Sequence, residues 1–127
     1  MYQGHKFYIC SHCNNIASPV INNGPPLVCC GEKMGVIAPN TVEASAEKHL
    51  PAVTQEGDTL TVQIGSAIHP MTPEHHINFL YVETERGGQR KCLDIGQEPV
   101  QKFSLVEDKP KAVYAYCNLH GMWMTQL

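Results

Sequence analysis

The chain has 127 residues, with 9 Lys and Arg against 12 Asp and Glu, a formal net charge of -3 and 43% hydrophobic residues. A weakly acidic balance without a basic stripe argues against nucleic-acid binding, and no run approaches the roughly 18 apolar residues of a membrane span. There is room for one ordinary core, or for a metal-stapled module beside a domain of roughly 90 residues, because pieces below about 40 residues need disulfides, a metal or a partner.

The first residues, Met1 to Lys6, lack the apolar stretch of a secretory signal, which predicts a cytoplasmic protein whose cysteines serve more readily as metal ligands than as disulfides. Cys10-Ser11-His12-Cys13 has the spacing of a hairpin that presents two thiolates to one tetrahedral ion, and Cys29-Cys30 supplies two more after a 15-residue loop. Adjacent cysteines cannot form a second ordinary knuckle, so that half of the tetrahedron is expected to be distorted. Thiolates suit zinc and iron equally, and spacing alone does not choose between them. The intervening Asn22-Asn23-Gly24-Pro25-Pro26 leaves few apolar residues to bury. A boundary between Gly35 and Asn40 divides the chain into predicted domains 1–36 and 37–127.

Beyond that boundary short alternating segments recur at 41–45, 52–55, 60–64, 75–84, 89–95, 100–106 and 111–117, separated by turn signals at Glu56-Gly57-Asp58, Gly87-Gly88 and Asp108-Lys109-Pro110. They predict a seven-strand, immunoglobulin-like antiparallel β-sandwich with no helix, a mostly β fold. Period two puts His75 on one face with Ile77, Phe79 and Tyr81, and His76 on the other with Leu80 and Val82. Of the adjacent pair, His75 is the better ligand candidate. Cys117 shares a face with Val113 and Ala115, and the turn at Asn118-Leu119 lets Cys117 and His120 reach one ion. Apolar residues on both faces around Leu80 and around Tyr114 and Tyr116 predict an exposed patch that a homodimer would cover.

Other chemistry-bearing residues have plainer readings. His5, His12 and His76 read as surface or locally bonded histidines, and Cys92 as a spare thiol on the outward phase of its strand. Met71, Met122, Trp123 and Met124 read as core or turn packing. Glu47 and Lys48, read alone, are solvated charges.

Residues 1–35 resemble desulforedoxin, in which four cysteines in this arrangement hold iron. Glu47-Lys48-His49, the stretch from His69 to His75, and Cys117-Asn118-Leu119-His120-Gly121 resemble the signatures of the desulfoferrodoxins, two-iron superoxide reductases. The resemblance covers essentially the whole chain; Phe79 stands where Trp is more usual. It implies two iron ions per chain. One is held by Cys10, Cys13, Cys29 and Cys30. The other has equatorial His49, His69, His75 and His120, an axial Cys117 thiolate and an open sixth position. An axial thiolate pushes electron density toward the metal. The implied substrate is superoxide, reduced to hydrogen peroxide, and the implied electron donor a rubredoxin-like protein. Lys48 would attract the anion and hydrogen-bond the bound oxygen species, and Glu47 would take the sixth position of ferric iron and help release product. The competing reading is a blue-copper electron carrier, which also builds a sandwich with a Cys-loop-His segment and a methionine.

Overall fold

The computed structural model describes residues 4–42 and 44–127. The chain divides into two compact units, Met1–Ala38 and Pro39–Leu127.

Five strands of two residues each make up the first unit: β1 (Tyr8–Ile9), β2 (Ile16–Ala17), β3 (Val28–Cys29), β4 (Glu32–Lys33) and β5 (Gly35–Val36). They form a three-stranded sheet in the order β2-β1-β5 and a separate β3-β4 hairpin. Only Phe7 and Cys10 are buried among the described residues of this unit. That is far too little apolar burial to offset the ordering of some 38 residues at roughly 1–2 kcal/mol each.

The second unit holds a short helix, α1 (Ala46–His49), and seven strands: β6 (Pro51–Glu56), β7 (Thr59–Ile64), β8 (Ile77–Thr84), β9 (Gly87–Cys92), β10 (Val100–Ser104), β11 (Pro110–Cys117) and β12 (Gly121–Gln126). All pair antiparallel, in a three-stranded sheet β10-β7-β6 and a four-stranded sheet β12-β11-β8-β9. Leu60, Val62, Ile64 and Phe103 of the first sheet belong to one buried cluster with Ile77, Leu80, Val82, Val113, Ala115 and Cys117 of the second. Cys117 is therefore at once a core residue and the last residue of its strand.

The strand count equals the expected seven, but the membership differs. None of the described residues in 41–45 is in a strand, and a four-residue helix follows where none was expected. The missing member is β12, whose run Met122-Trp123-Met124 lacks the alternation that marks a one-sided strand. The Gly87-Gly88 turn signal was also misplaced, since both residues belong to β9 and pair with Thr84 and Glu83.

Strand phase needs a further correction. Along β11 and β8 the register runs Ala115 to Leu80 and Tyr116 to Phe79, then jumps to Cys117 opposite Ile77. Asn78 is the extra residue of a bulge, which turns Ile77 into the core with Leu80 and Val82 and leaves Phe79 and Tyr81 on the other face. Uninterrupted alternation had placed Ile77 with the aromatics. The patch expected around Leu80, Val82, Tyr114 and Tyr116 is largely covered within the chain, where the first three are buried and Tyr116 is partly exposed. Phe79 and Tyr114 are 6% and 1% exposed within the single chain, and the Tyr114 hydroxyl donates to Glu83 Oε1 at 2.9 Å. A dimer cannot be argued from that face.

Candidate metal centres

The first cluster is built by two turns. The Asn14 N–H donates to the Cys10 carbonyl at 2.9 Å and the Cys10 N–H to the Asn15 carbonyl at 2.9 Å, closing a loop that aims Cys10 and Cys13 the same way. On the other side Cys29 pairs with Glu32, and the two residues between them, Cys30 and Gly31, have φ of 51° and 76°. Two consecutive left-handed residues make the tight hairpin turn that suits strand twist, a position where a β-carbon is disfavoured and glycine or Asn is usual. Cys30 occupies it nonetheless, and this is how neighbouring cysteines reach one point.

The Cys13 and Cys29 sulfurs are 3.7 Å apart and those of Cys29 and Cys30 3.9 Å. All four lie within 4.8 Å of one another. A tetrahedron with metal–sulfur bonds of about 2.3 Å has edges of about 3.8 Å, so the donor set fits a single ion. Backbone N–H groups, Cys13 first and then His12, lower the Cys10 thiol to about 6 against the opposing effect of burial. Contacts with the neighbouring thiols, Cys13 first and then Cys10 and Cys29, push Cys30 up to about 12. Four thiols this close cannot all ionise without a cation between them. The two flanking histidines lie outside the set: His12 pairs with the Glu32 carboxylate, and His5 Nε2 contacts the Ser18 hydroxyl at 2.8 Å.

The second cluster is a square of imidazoles. His49 ends α1, and its Nδ1–H donates to the Ser45 carbonyl at 2.7 Å; His69 Nδ1–H donates to the Pro70 carbonyl at 2.7 Å. Each bond fixes the tautomer and leaves Nε2 as the free lone pair. Those two Nε2 atoms are 3.2 Å apart, and His120 turns its Nδ1 to within 3.1 Å of His49 Nε2. Ring centroids are 4.7 Å apart for His49 and His69, 4.5 Å for His69 and His75, 5.0 Å for His75 and His120, and 4.8 Å for His120 and His49. The diagonal from His49 to His75 is 6.2 Å. Four near-equal sides and one longer diagonal describe four corners in the order His49, His69, His75, His120. Adjacent corners of a square whose centre lies about 2.1 Å from each nitrogen are about 3.0 Å apart, close to both measured nitrogen separations.

Cys117 is fully buried, its sulfur 3.4 Å from His69 Nε2 and 3.9 Å from His120 Nδ1. His75 Nε2 is buried without a hydrogen-bond partner among the described residues, a cost that a metal would remove. Burial, the largest cause in each case, holds the pKa of His49, His69 and His75 below the ordinary value, for His69 at about 4. Burial raises the Cys117 pKa while the N–H groups of Leu119 and His120 oppose it. Burial thus favours the neutral form of His49, His69 and His75 that a metal ligand must have, and a cation would offset the burial of the Cys117 thiolate.

His76 points elsewhere, its Nδ1 bonded to the Thr72 carbonyl at 3.0 Å. Cys92 is an exposed free thiol on β9, beside Arg90. Glu47 and Lys48 lie exposed on α1. After burial, the largest cause, the Lys48 charge is the last of the causes that lower His49 and His75. Their backbone is anchored from behind. The Glu47 carbonyl accepts from the Ala67 N–H at 3.1 Å and the Ser66 hydroxyl at 3.3 Å. Gly65, at φ 80°, passes so close that a β-carbon there would lie 2.7 Å from the Lys48 carbonyl oxygen. Trp123 is a site residue that sequence reasoning left in the core. Its ring stacks on His49 at 5.0 Å and 25°, and its Nε1–H donates to the His120 carbonyl at 3.1 Å. Nothing in the local sequence signals this, because the stacking depends on β12 pairing with β11.

A family model described as desulfoferrodoxin matches residues 41–126. The chain belongs to the desulfoferrodoxin family. The desulfoferrodoxin homolog of Archaeoglobus fulgidus is 37% identical over 120 residues, 94% of this chain and 95% of the relative. Among solved structures, the superoxide reductase from Treponema pallidum is 32% identical with a TM-score of 0.81, covering 98% of this chain and 100% of that one. The one-iron superoxide reductase from Giardia intestinalis is also 32% identical, with a TM-score of 0.53 over 64% of this chain and 97% of its own. The four-thiol and imidazole–thiol clusters of this desulfoferrodoxin are its two iron centres.

Proposed function

We propose that the protein is a superoxide reductase, in which His49, His69, His75, His120 and Cys117 hold the catalytic iron and Glu47 and Lys48 serve the open face. The observation that carries the reading is the imidazole square with one buried thiol against it. A blue-copper carrier, for which Met122 or Met124 would be the weak ligand, uses fewer imidazoles than the four gathered here. Proteins named superoxide reductase, each 32% identical and covering 98% and 64% of this chain, support the same activity.

Superoxide becomes hydrogen peroxide by taking up one electron and two protons. When bound, ferrous iron supplies the electron and an open coordination position. The protein's residues do the rest. Cys117 would offer the metal a buried thiolate, whose charge the backbone N–H groups of Leu119 and His120 temper. Lys48 draws the anion to the solvent side, where His75 and His120 are only partly buried and water can deliver protons. Glu47, exposed one residue before Lys48, would take the open position as product leaves. The four-cysteine iron of the first unit serves as an electron store refilled by a rubredoxin-like donor, and the six free cysteines suit the reducing cytoplasm.

Pulse radiolysis of the reduced protein tests the activity. The expected result is one peroxide formed per superoxide consumed, with no dioxygen released. Release of dioxygen in dismutation stoichiometry, or no reaction faster than that of the free radical, would overturn it.

A further inference from the structure

His49 and His69 each have their second ring nitrogen tied to a carbonyl, but no such bond reaches His75 among the described residues. What holds His75 instead is its backbone. The Asn118 Oδ1 accepts from the His76 N–H at 2.9 Å, and Asn118 Nδ2–H donates to the Glu74 carbonyl at 3.0 Å. The Asn118 N–H also donates to the His76 carbonyl at 3.2 Å. One side chain therefore grips the residue before His75 and the residue after it. Asn118 itself follows Cys117 directly and lies two residues before His120.

The geometry beneath explains why a clamp is needed. Asn78 bulges out of β8, so regular ladder pairing between β8 and β11 ends at Ile77 and Cys117. His75 lies beyond the last ladder pair, in a turn closed by Thr72, whose hydroxyl accepts from the His75 N–H at 3.1 Å. Without the Asn118 side-chain bonds, the backbone bond from the Asn118 N–H to the His76 carbonyl alone would join that turn to the Cys117 loop among the hydrogen bonds of the described residues.

We propose that Asn118 is the positioning residue of the second centre, holding His75 at the fourth corner of the square by clamping residues 74 and 76 to the Cys117–His120 loop. This rests on the imidazole square being a metal site, not on which reaction occurs there. Groups that orient a metal ligand commonly account for about 10- to 100-fold in metal affinity. The clamp acts through His75, so its effect should vanish when His75 cannot ligate.

The experiment challenges the iron-loaded full-length protein with excess chelator and follows the two iron absorptions separately, so the four-cysteine iron reports on the integrity of the same molecules. Asn118→Ala should lose the second iron about 10 to 100 times faster than the unaltered protein, with the first centre unchanged. Asn118→Ser, which can keep only one of the two side-chain bonds, should fall between. The electron paramagnetic resonance signal of the ferric second centre should shift in both variants. In a His75→Ala background, Asn118→Ala should add little further. An unchanged release rate overturns the proposal. So does an equal factor in both backgrounds, which would make Asn118 a general brace of the loop. If Asn118→Ala fails to accumulate, Asn118→Ser decides by the same two criteria. Failure of the unaltered protein to hold a second iron at all would instead strike the metal-site reading itself.

Discussion

The two units solve opposite problems. In the first, five two-residue strands and two buried side chains cannot specify a fold, so the ion between four thiols must organise the chain. In the second, twelve buried residues form a core between two sheets, and Cys117 is one of them. There the fold organises the metal site. A metal staple tolerates irregular backbone such as Cys30 at φ 51°, whereas a preformed square demands that separate loops arrive in register.

Iron removal is the sharpest way to break this contrast. The apoprotein should keep its β-sheet signal and its amide protection in β6–β12 and lose protection throughout residues 4–38. Structural metal sites of this kind are worth about 10–16 kcal/mol, far more than the first unit's own packing. Retained protection of the Cys10 or Asn14 amide in the apoprotein would show that the hairpins stand without metal. Cys13→Ser should act on the same side alone, removing the four-cysteine spectrum and leaving the second iron in place.

Next in size is Cys117→Ser, which should abolish the sulfur-to-iron absorption and disable superoxide reduction while the sandwich stays folded. An intact band would move the thiolate elsewhere, and Cys92, exposed on β9, is the remaining free thiol outside the first cluster. Packing is tested by Leu80→Ala, which deletes a side chain with no exposed surface and should cost about 2–5 kcal/mol in chemical denaturation. Its effect should be confined to the second unit, with the first iron's spectrum lost at the same denaturant concentration as in the unaltered protein.

How legible these features were depended on whether they were local. The Cys10-x2-Cys13 and Cys29-Cys30 spacings and the β6–β7 hairpin at Gly57 could be read from a few adjacent residues, whereas the alternation that favoured His75 over His76 does not reach it, since β8 begins at Ile77. The bulge at Asn78 could not be read so, because an extra residue is defined only against the partner strand β11. For the same reason the face assigned to Ile77 was wrong although alternation was the right rule. The helix α1 spans four residues, too short for any periodic signal, and Trp123 reached His49 only through the pairing of β12. Family resemblance carried the ligand set where periodicity was silent, as at His49 and His69.

Acidity gives a smaller and graded effect. In the unfolded chain His49, His69 and His75 take up protons near 6.5, but in the folded unit burial delays this, for His69 until about pH 4. Between those values the unfolded state binds more protons, so stability rises with pH across the window and is lost on acidification. The iron-free second unit should therefore denature at lower urea at pH 5 than at pH 7. A midpoint independent of pH over that range would mean that the imidazoles already protonate in the folded state.

The smallest effect expected falls on Lys48, which belongs to neither core nor ligand set. Lys48→Met preserves length and the aliphatic stem, so iron spectra and stability should hardly change. What should fall is the bimolecular rate with superoxide. Whole charge fields alter association by roughly 10- to 1000-fold, and a single exposed lysine belongs near the lower end. Salt separates attraction from any other role. At about 0.15 M ionic strength the Debye length is about 8 Å, so the rate of the unaltered protein should decline across a salt series and that of Lys48→Met should decline less. Gly65→Ala offers a second approach to the same segment, since at φ 80° its β-carbon would collide with the Ala67 carbonyl oxygen and lie 2.7 Å from that of Lys48, so the backbone that anchors Glu47 and Lys48 must shift; it should slow the reaction without removing the ammonium. Equal rates and parallel salt dependences in all three proteins would return Lys48 to an ordinary solvated charge and leave the square itself to draw in its substrate.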